Sequence, residues 1–307
     1  MPAGRVSYGR AQCALRDGKR LWRVMKLPIL LDTDIGSDVD DALALLYAAQ
    51  KRLDVKLITT VHGDTQLRAK IAAKICRSLG YDVPVAAGEQ MPIKQRHIYT
   101  TGLEDDGFTR NEPSCPDDAV DRIIATSHKY ATQVDVVAIG PLTNIARAID
   151  KDADLTSCIR HLYCMGNAVV ADHPFTVHNH QMRSLLNYRC HNFKADPEAV
   201  DIVMEASIPT TIVTTAVCKE NHITLEEIAR IDAHLQNPAT AYIRSAAQRW
   251  LPFIGYEKAF LYDPLVLHHA IDLQVTEAVQ DRHLRVTTRC HYDYAATFLD
   301  SLMPSPR

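Results

Sequence analysis

The feature of this sequence that most constrains its fold is an alternation of strand-like and helix-like segments from Leu27 onward. Short apolar runs typical of buried strands are followed by longer segments in which apolar residues recur every three or four positions. The predicted strands are 28–33, 55–61, 83–86, 134–139, 159–163 and 210–214, and the predicted helices are 40–50, 67–79, 118–130, 142–149, 197–206 and 225–235. This order predicts an α/β fold in which helices cover a parallel sheet.

The first 26 residues differ from the rest of the chain. They contain seven basic residues and a single acid, Asp17, and they have no apolar stretch of the kind found in a secretory signal. We therefore predict that residues 1–26 form a disordered basic extension and that residues 27–307 form one catalytic domain, because no repeat or Gly/Ser linker divides them. An organellar targeting role for the extension stays open as an alternative.

Composition excludes several classes of protein. With 34 Lys and Arg against 37 Asp and Glu, the formal net charge of -3 gives no global attraction to nucleic acid or to an anionic membrane. The apolar runs are far shorter than the roughly 20 residues that span a bilayer. The eight cysteines form no Cys-x-x-Cys pair, which indicates reduced thiols and a cytoplasmic protein rather than a zinc site or a disulfide framework.

An acidic segment at the end of the first predicted strand carries the strongest functional signal. Five carboxylates fall within ten residues: Asp32, Asp34, Asp38, Asp40 and Asp41. A helix N-terminus accommodates one or two acids, and Asp38 is the predicted cap. Five crowded carboxylates repel one another unless a cation offsets them, so the segment predicts a hard, oxygen-liganded metal such as Ca²⁺ or Mg²⁺. The spacing is not that of an EF-hand.

Three further strings follow predicted strands or precede predicted helices. They are Gly140-Pro141-Leu142-Thr143-Asn144, Asn192-Phe193-Lys194-Ala195-Asp196-Pro197 and Tyr262-Asp263-Pro264-Leu265. A proline in the first turn after a capping residue is a common structural device, and that interpretation is sufficient for Asp196. For Asp263 both a structural and a functional role stay open.

Two non-periodic stretches, 88–116 and 167–189, are too long for simple connections. In open α/β sheets ligands bind beyond the carboxyl ends of the strands, so such loops are expected to carry function. Asn167, at the start of the second stretch, is a predicted substrate-binding residue.

Together, the acidic segment and the three strings resemble the nucleoside hydrolase family, the calcium-dependent N-ribohydrolases of the inosine-uridine-preferring type, with this chain as a divergent member. The similarity covers nearly all of the chain after Met25. It implies a single doubly wound α/β domain with a mostly parallel central sheet flanked by helices, assembled as a homodimer or homotetramer. It also implies hydrolysis of the bond between ribose and a purine or pyrimidine base, as in nucleoside salvage and catabolism.

The resemblance implies one Ca²⁺ per subunit. The carboxylates of Asp34, Asp41 and Asp263 and the main-chain oxygen of Thr143 resemble its ligands. Asp34 also resembles the general base that takes a proton from the metal-bound water.

The same resemblance implies a ribose site formed by Asp40 and Asn192, which match the groups that hold ribose hydroxyls. The spacing between Asp34 and Asp40 is two residues longer than in the best-known branch of the family, so Asp38 competes for one of these roles. Because the metal and the diol would be bound together, 2'-deoxyribosides are expected to be poor substrates.

Several positions on the base and 5'-hydroxyl side depart from the family pattern. Tyr262 replaces a histidine implicated in leaving-group protonation, Cys190 replaces a glutamate, and Asp64 replaces an asparagine. All three are retained as predicted substrate contacts. His178 or His180, in the second long stretch, is the predicted acid that substitutes for the missing histidine.

Two other functions are consistent with parts of this pattern. A haloacid-dehalogenase-type phosphohydrolase also has Asp-x-Asp after its first strand, with Asp32 as the nucleophile, but it leaves the Gly-Pro-Leu-Thr-Asn string without a use. The second alternative is a calcium-dependent nucleoside or ribose binder that no longer catalyses hydrolysis. The departures at Tyr262 and Cys190 are consistent with it.

Overall fold

The computed structural model describes residues 12–16, 19–23, 27–94, 98, 100–167, 190–281 and 284–303. Near the N-terminus, strands β1 (Gln12–Arg16) and β2 (Lys19–Arg23) pair in antiparallel fashion as a two-stranded sheet of their own. This pairing was not predicted. The division of the chain at residue 26 stays a prediction.

The centre of the molecule is an eight-stranded sheet. Its strands are β3 (Ile29–Thr33), β4 (Val55–Thr60), β5 (Val85–Ala87), β6 (Val134–Ala138), β7 (Ile159–Gly166), β8 (Thr210–Thr214), β11 (Thr276–Asp281) and β12 (Leu284–Cys290). Their order is β11-β12-β8-β7-β6-β3-β4-β5, and every pair is parallel except β11 with β12. Two short strands, β9 (His222–Thr224) and β10 (Lys258–Phe260), form a separate antiparallel pair.

Helices cover both faces of this sheet. They are α1 (Asp40–Gln50), α2 (Thr65–Ser78), α3 (Ala119–Lys129), α4 (Thr143–Lys151), α5 (Leu155–Cys158), α6 (His191–Ala195), α7 (Pro197–Glu205), α8 (Thr215–Lys219), α9 (Leu225–Leu235), α10 (Pro238–Ile254), α11 (Tyr262–Ile271) and α12 (Tyr294–Leu302). In the described ranges, none of these helices is both long enough and apolar enough to cross a membrane.

The central strands are buried along their whole length. Every residue of β3 and β6 is buried, as expected for strands that have helices on both faces. Helix α1 is also buried on all sides from Asp40 to Ala48, because it lies between the sheet and the C-terminal helices, where its Ala and Leu side chains pack closely. A second apolar cluster around Leu30, Val136 and Phe193 fills the opposite face.

The predicted α/β fold with a mostly parallel sheet is confirmed. All six predicted strands and all six predicted helices are present within a few residues of their predicted bounds. The prediction of Asp38 as a helix cap is wrong. Helix α1 begins at Asp40 after Val39, which makes no side-chain capping bond, while the carboxylate of Asp38 accepts a hydrogen bond from the Val39 N–H at 2.6 Å. The antiparallel hairpin of β11 and β12 at the sheet edge was not predicted from the sequence.

The chain order places a crevice above β3 and β6. After β3 the chain builds β4 and β5 on one side and then returns to add β6 on the other side of β3. Connections that leave a parallel sheet in opposite directions open a cleft at the carboxyl ends of the two strands. Gly140 lies there: a Cβ at this position would be 2.9 Å from the backbone nitrogen of Asp34, so only glycine permits this approach.

Three buried histidines lie within the fold, away from this crevice. His161 in β7 and the pair His268 and His269 in α11 are at most 8% exposed. Burial lowers the pKa of His161 and His268 to about 4 and that of His269 to about 3. His268 lies between the hydroxyls of Tyr47 and Tyr292, at 2.5 and 2.9 Å.

These histidines predict a loss of stability in acid. Each has a folded-state pKa below its unfolded value, so the unfolded chain binds more protons, and the free energy of unfolding falls as pH drops from about 6.5 towards 4. A His269→Gln variant should show a shallower fall, by up to about 1.4 kcal/mol per pH unit. Urea denaturation of both proteins at several pH values measures the difference. Parallel curves for the two proteins would contradict the assignment.

Candidate active site

The acidic segment leaves β3 at the crevice, and its first carboxylate has a structural role. Asp32 is fully buried and accepts hydrogen bonds from Thr59 Oγ1 at 2.5 Å and from Asn144 Nδ2 at 2.7 Å. Burial raises its pKa to about 7 in spite of these bonds. Asn144 also donates to the carbonyl of Thr60, so the Gly-Pro-Leu-Thr-Asn string joins α4 to β3 and β4 below the crevice.

Three carboxylates meet above this layer. Asp40 and Asp41 lie in the first turn of α1, and Asp263 lies in the first turn of α11, which packs against α1. All three are at most 5% exposed, and one carboxylate oxygen from each lies within 4.8 Å of the others. Burial, followed by repulsion from neighbouring carboxylates, raises the pKa of each of these groups well above its ordinary value.

Asp34 lines the same crevice, but its carboxylate lies outside this group of three. Its Oδ2 lies 3.5 Å from Nε2 of His191, at the start of α6. Burial opposes ionisation, yet the hydrogen bond and charge of His191, together with the charge of Arg68, lower the pKa of Asp34. The sequence reading missed His191. The one available signal was its position directly before Asn192 in a string already identified as functional.

Arg68 is a buried cation beneath the acidic segment. It is 2% exposed, and its guanidinium donates to the carbonyls of Asp34, Ile35 and His62 and, at 3.1 Å, to Ser37 Oγ. In the described part of the chain all of its hydrogen bonds go to neutral oxygens. Its charge is therefore balanced through space by the carboxylates, and its donors hold the backbone from which Asp34 projects.

These groups line one cavity of about 550 Å³ at the carboxyl ends of β3, β6 and β7. One wall is acidic and holds Asp34, Asp38, Asp40, Asp41 and Asp263. The rest of the lining is largely apolar and aromatic, and this aromatic wall consists of Ile139, Met165, Cys190, Trp250, Ile254, Tyr256 and Tyr262. Polar side chains from Ser37, Asn167, His191, Asn192, Thr215 and Lys219 complete the lining. A cavity with one charged side and one aromatic side fits a ligand that is itself half polar and half planar.

Asn192 is held in a fixed orientation at the base of the cavity. Its amide nitrogen donates to the carbonyl of Ile139 at 2.7 Å and to that of Met165 at 3.3 Å, at the ends of β6 and β7. Because these carbonyls use the nitrogen, the Oδ1 oxygen is the atom left to accept a hydrogen bond from a ligand.

The other predicted site residues fall into two groups. Asn167, Cys190 and Tyr262 line the cavity, as expected for substrate contacts. Thr143 is buried at the start of α4 and is not part of the lining. Its hydroxyl donates at 2.7 Å to Asp196, which also caps α7 through Ala199 N–H, the structural role predicted for Asp196.

The structure does not bring Asp64 to the cavity. Its carboxylate is exposed and caps α2 by accepting a hydrogen bond from Leu67 N–H at 2.9 Å. A helix begins one residue after this position, which makes the acid a capping group rather than a substrate contact. His178 and His180 lie outside the described residues.

The acidic wall fits a divalent cation. Burial raises the pKa values of these three carboxylates, and repulsion from neighbouring carboxylates raises them further, so a cation among them would relieve both costs. An all-oxygen donor set selects a hard ion such as Ca²⁺ or Mg²⁺ over zinc or copper. The carboxylates that come together there are those of Asp40, Asp41 and Asp263, and Asp34 lines the same cavity.

The site is therefore an acidic cleft at the switch point of a doubly wound α/β fold, where such folds bind their ligands. The inosine-uridine preferring nucleoside hydrolase family model matches residues 29–304, and the chain belongs to this family. Membership assigns it to the hydrolases of N-ribosides.

Individual relatives resemble the chain in sequence, and solved structures resemble it in fold. The chain is 29% identical over 296 residues to the pyrimidine-specific ribonucleoside hydrolase RihA of Escherichia coli K12, covering 90% of this chain and 89% of that protein. Its fold is similar to that of a plant nucleoside hydrolase, with 20% identity, a TM-score of 0.72 and coverage of 91% and 100% of the two chains. A purine-preferring ribonucleoside hydrolase from Gardnerella vaginalis superposes with a TM-score of 0.72 at 22% identity, covering 90% and 96%.

The phosphohydrolase alternative is wrong. The family match covers most of the chain, and Asp32, the nucleophile which that alternative requires, is fully buried and bonded to Thr59 and Asn144.

The position of Arg68 predicts a large effect on stability. Arg68→Met removes a buried cation and leaves the carbonyls of the acidic segment without their donors, so the free energy of unfolding should fall by about 3 kcal/mol. Arg77→Met, on the same helix, is the matched control. Arg77 is 60% exposed and pairs with Glu112 at the surface, so its loss should cost at most about 1 kcal/mol. Urea denaturation at neutral pH compares the two, and equal losses would contradict the role of Arg68.

Proposed function

We propose that the protein hydrolyses the N-glycosidic bond of ribonucleosides with the help of one Ca²⁺ ion held by the acidic wall. The observation that carries this proposal is that a buried carboxylate cluster, the fixed amide of Asn192 and an aromatic wall line one cavity. Ribose hydroxyls suit the first two, and a planar base suits the third.

The proposed ligands are Asp41 and Asp263, with Asp34 and the main-chain oxygen of Thr143, as the family resemblance implies. The position of Asp40 within 4.8 Å of Asp41 and Asp263 supports a role for it at the junction of cation and ribose. When bound, a divalent cation supplies positive charge that orients a water molecule and lowers its pKa.

Asp34 is the proposed general base. Its pKa is lowered by His191 and Arg68 despite burial, so the carboxylate is ionised near neutral pH and is able to accept a proton from the attacking water. The surrounding carboxylates also stabilise the positive charge that develops on the sugar as the glycosidic bond breaks.

The base is proposed to lie against the aromatic wall. Trp250 and Tyr256 come from the C-terminal end of α10 and the turn after it, and Tyr262 begins α11. His191 also lines the cavity and is proposed to contact the substrate, in addition to any contribution from the predicted loop residues His178 and His180. The homo-oligomeric state and the cytoplasmic location stay predictions.

The first test is a pair of matched substitutions. Asp41→Asn should weaken calcium binding and lower ribose release on the order of 100-fold or more, because a buried ligand is lost. Asp64→Asn makes the same chemical change at an exposed helix cap and should leave both properties close to those of the wild type. Calorimetric titration with calcium and a reducing-sugar assay on a nucleoside panel provide the two measurements.

The outcomes test the proposed ligand set and distinguish a hydrolase from a non-catalytic binder. Wild-type calcium affinity and activity in Asp41→Asn would rule out the proposed ligand set. Calcium-dependent nucleoside binding by the wild type with no release of ribose would favour the non-catalytic binder over the hydrolase.

The second test concerns the ribose diol. If Asp40 and Asn192 hold its hydroxyls, a 2'-deoxyribonucleoside loses a contact worth about 1 to 3 kcal/mol, a fall of roughly 10- to 100-fold in kcat/KM. In Asn192→Ala the contact made by Oδ1 is already absent, so the ratio of kcat/KM values for ribonucleoside and deoxyribonucleoside should move towards one. An unchanged ratio in this variant would show that Asn192 does not bind a hydroxyl that distinguishes the two substrates.

A further inference from the structure

A second cluster of reactive side chains lies at the opposite end of the sheet from the cavity. It consists of His128 in the last turn of α3, Asp152 directly after α4, and Cys158 at the end of α5. His128 Nε2 lies 2.5 Å from Asp152 Oδ2, and His128 Nδ1 lies 3.4 Å from Cys158 Sγ. The proposed hydrolysis uses none of the three.

The hydrogen bonds of His128 determine which atom is the donor and which is the acceptor in each pair. A carboxylate only accepts, so Nε2 of His128 carries the hydrogen and donates it to Asp152. In the neutral imidazole, Nδ1 is then the acceptor, and the thiol of Cys158 is its donor. The order carboxylate, imidazole, thiol is the arrangement that activates a cysteine by removing its proton.

The backbone around the cluster holds these groups in place. The second carboxylate oxygen of Asp152 accepts a hydrogen bond from Asp154 N–H at 3.0 Å, which orients Oδ2 towards His128. Across the cluster, Thr132 N–H donates to the carbonyl of Cys158 at 2.7 Å, so the turn that follows α3 is tied to the start of β7. These main-chain hydrogen bonds therefore hold the segments that bring the imidazole and the thiol together.

Cys158 differs from the other cysteines in its partner. Among the cysteines whose side chains the structure describes, it alone is hydrogen-bonded to an imidazole. Cys115 is more accessible, but burial raises the pKa of its thiol. Cys290 is also partly exposed; it accepts a hydrogen bond from Asn221, and burial raises its pKa to about 11. Exposure alone would therefore select Cys115 or Cys290 for reaction, whereas base assistance selects Cys158.

Access to Cys158 suits a small reagent. The residue is 7% exposed, which disfavours bulky electrophiles, but the side chain of His128 beside it is 44% exposed. A molecule the size of hydrogen peroxide is able to approach along the imidazole, whereas a bulky reagent is not.

We propose that Cys158 is a modification site, a base-assisted thiol that small hydroperoxides oxidise to a sulfenic acid. His128 Nδ1 takes the thiol proton, and the thiolate sulfur attacks one peroxide oxygen. The S–O bond forms as the O–O bond breaks, and the leaving hydroxide takes the proton from the imidazolium and departs as water. Sulfur is oxidised by two electrons, and the peroxide is reduced by two.

This site is independent of the hydrolase site. Cys158 precedes the amino end of β7, whereas Met165 lines the cavity near its carboxyl end, and an eight-residue strand spans roughly 25 Å. A change in ribose release is therefore not required for the modification to occur, and the two proposals are tested separately.

The experiment exposes the full-length protein to a low concentration of hydrogen peroxide for increasing times, then removes the peroxide with catalase. The protein is denatured in an alkylating agent, and the remaining reduced thiol at each cysteine is counted by peptide mass spectrometry. Cys158 should lose its thiol about tenfold faster than Cys115 in the same molecules. His128→Gln should bring the rate at Cys158 down to that at Cys115, and Asp152→Asn should lower it as well.

Cys115 serves as the internal control, since it reports any general change in access or peroxide dose. Melting curves of the variants establish that they are folded, and Asp152→Asn keeps the test available if His128→Gln is unstable. Oxidation of Cys158 no faster than that of Cys115 in the wild type would overturn the proposal. So would an unchanged rate at Cys158 in folded His128→Gln or Asp152→Asn protein.

Discussion

The crowding of buried carboxylates at the end of β3 is the constraint on which the rest of the site depends. Asp40, Asp41 and Asp263 share a space in which burial, and then the charge of neighbouring carboxylates, raises the pKa of each, and two helix N-termini bring them there. The free N–H groups of those helices favour negative charge, but not three carboxylates within 4.8 Å of one another. Positive charge relieves this crowding, and two sources of it are a fixed one in the protein and the cation proposed to bind from solution.

Arg68 is the fixed source. It is buried beneath the acidic segment, and it binds main-chain carbonyls instead of neutralising a single carboxylate. A direct ion pair with Asp34 would have occupied that carboxylate and removed it from the cavity. Donors to the backbone leave the carboxylate available while its charge is still partly offset. The same residue therefore serves both the folding of the segment and the chemistry proposed for it.

On the proposed substrate side of the cavity, the side chains differ from those of the family pattern. The histidine expected at position 262 in the family is a tyrosine here, and a histidine at position 191 instead reaches Asp34 from α6. The aromatic wall is built from α10 and the start of α11, where the sequence analysis identified only Tyr262. The proposed metal and ribose side is thus formed by short strings of sequence, and the proposed base side by residues far apart in the chain.

The sequence by itself determined the parts of the protein that local patterns encode. Buried strands and amphipathic helices alternate with a clear period, so the parallel sheet and most helix bounds followed from it, and the acidic segment indicated a cation because five carboxylates in ten residues have few other uses. Asp196 was correctly interpreted as a cap, since capping depends on neighbours in sequence.

Only the tertiary structure decided which of these acids meet. It grouped Asp40 with Asp41 and Asp263, directed Asp34 towards His191, and turned Asp64 to solvent as a helix cap. It also placed Arg68 below the segment and Trp250 in the lining of the cavity, at sequence distances that no periodicity reports. The physical reason is that side chains from different elements come together through helix packing and strand order, and these are fixed by burial over the whole domain rather than by any short string of residues.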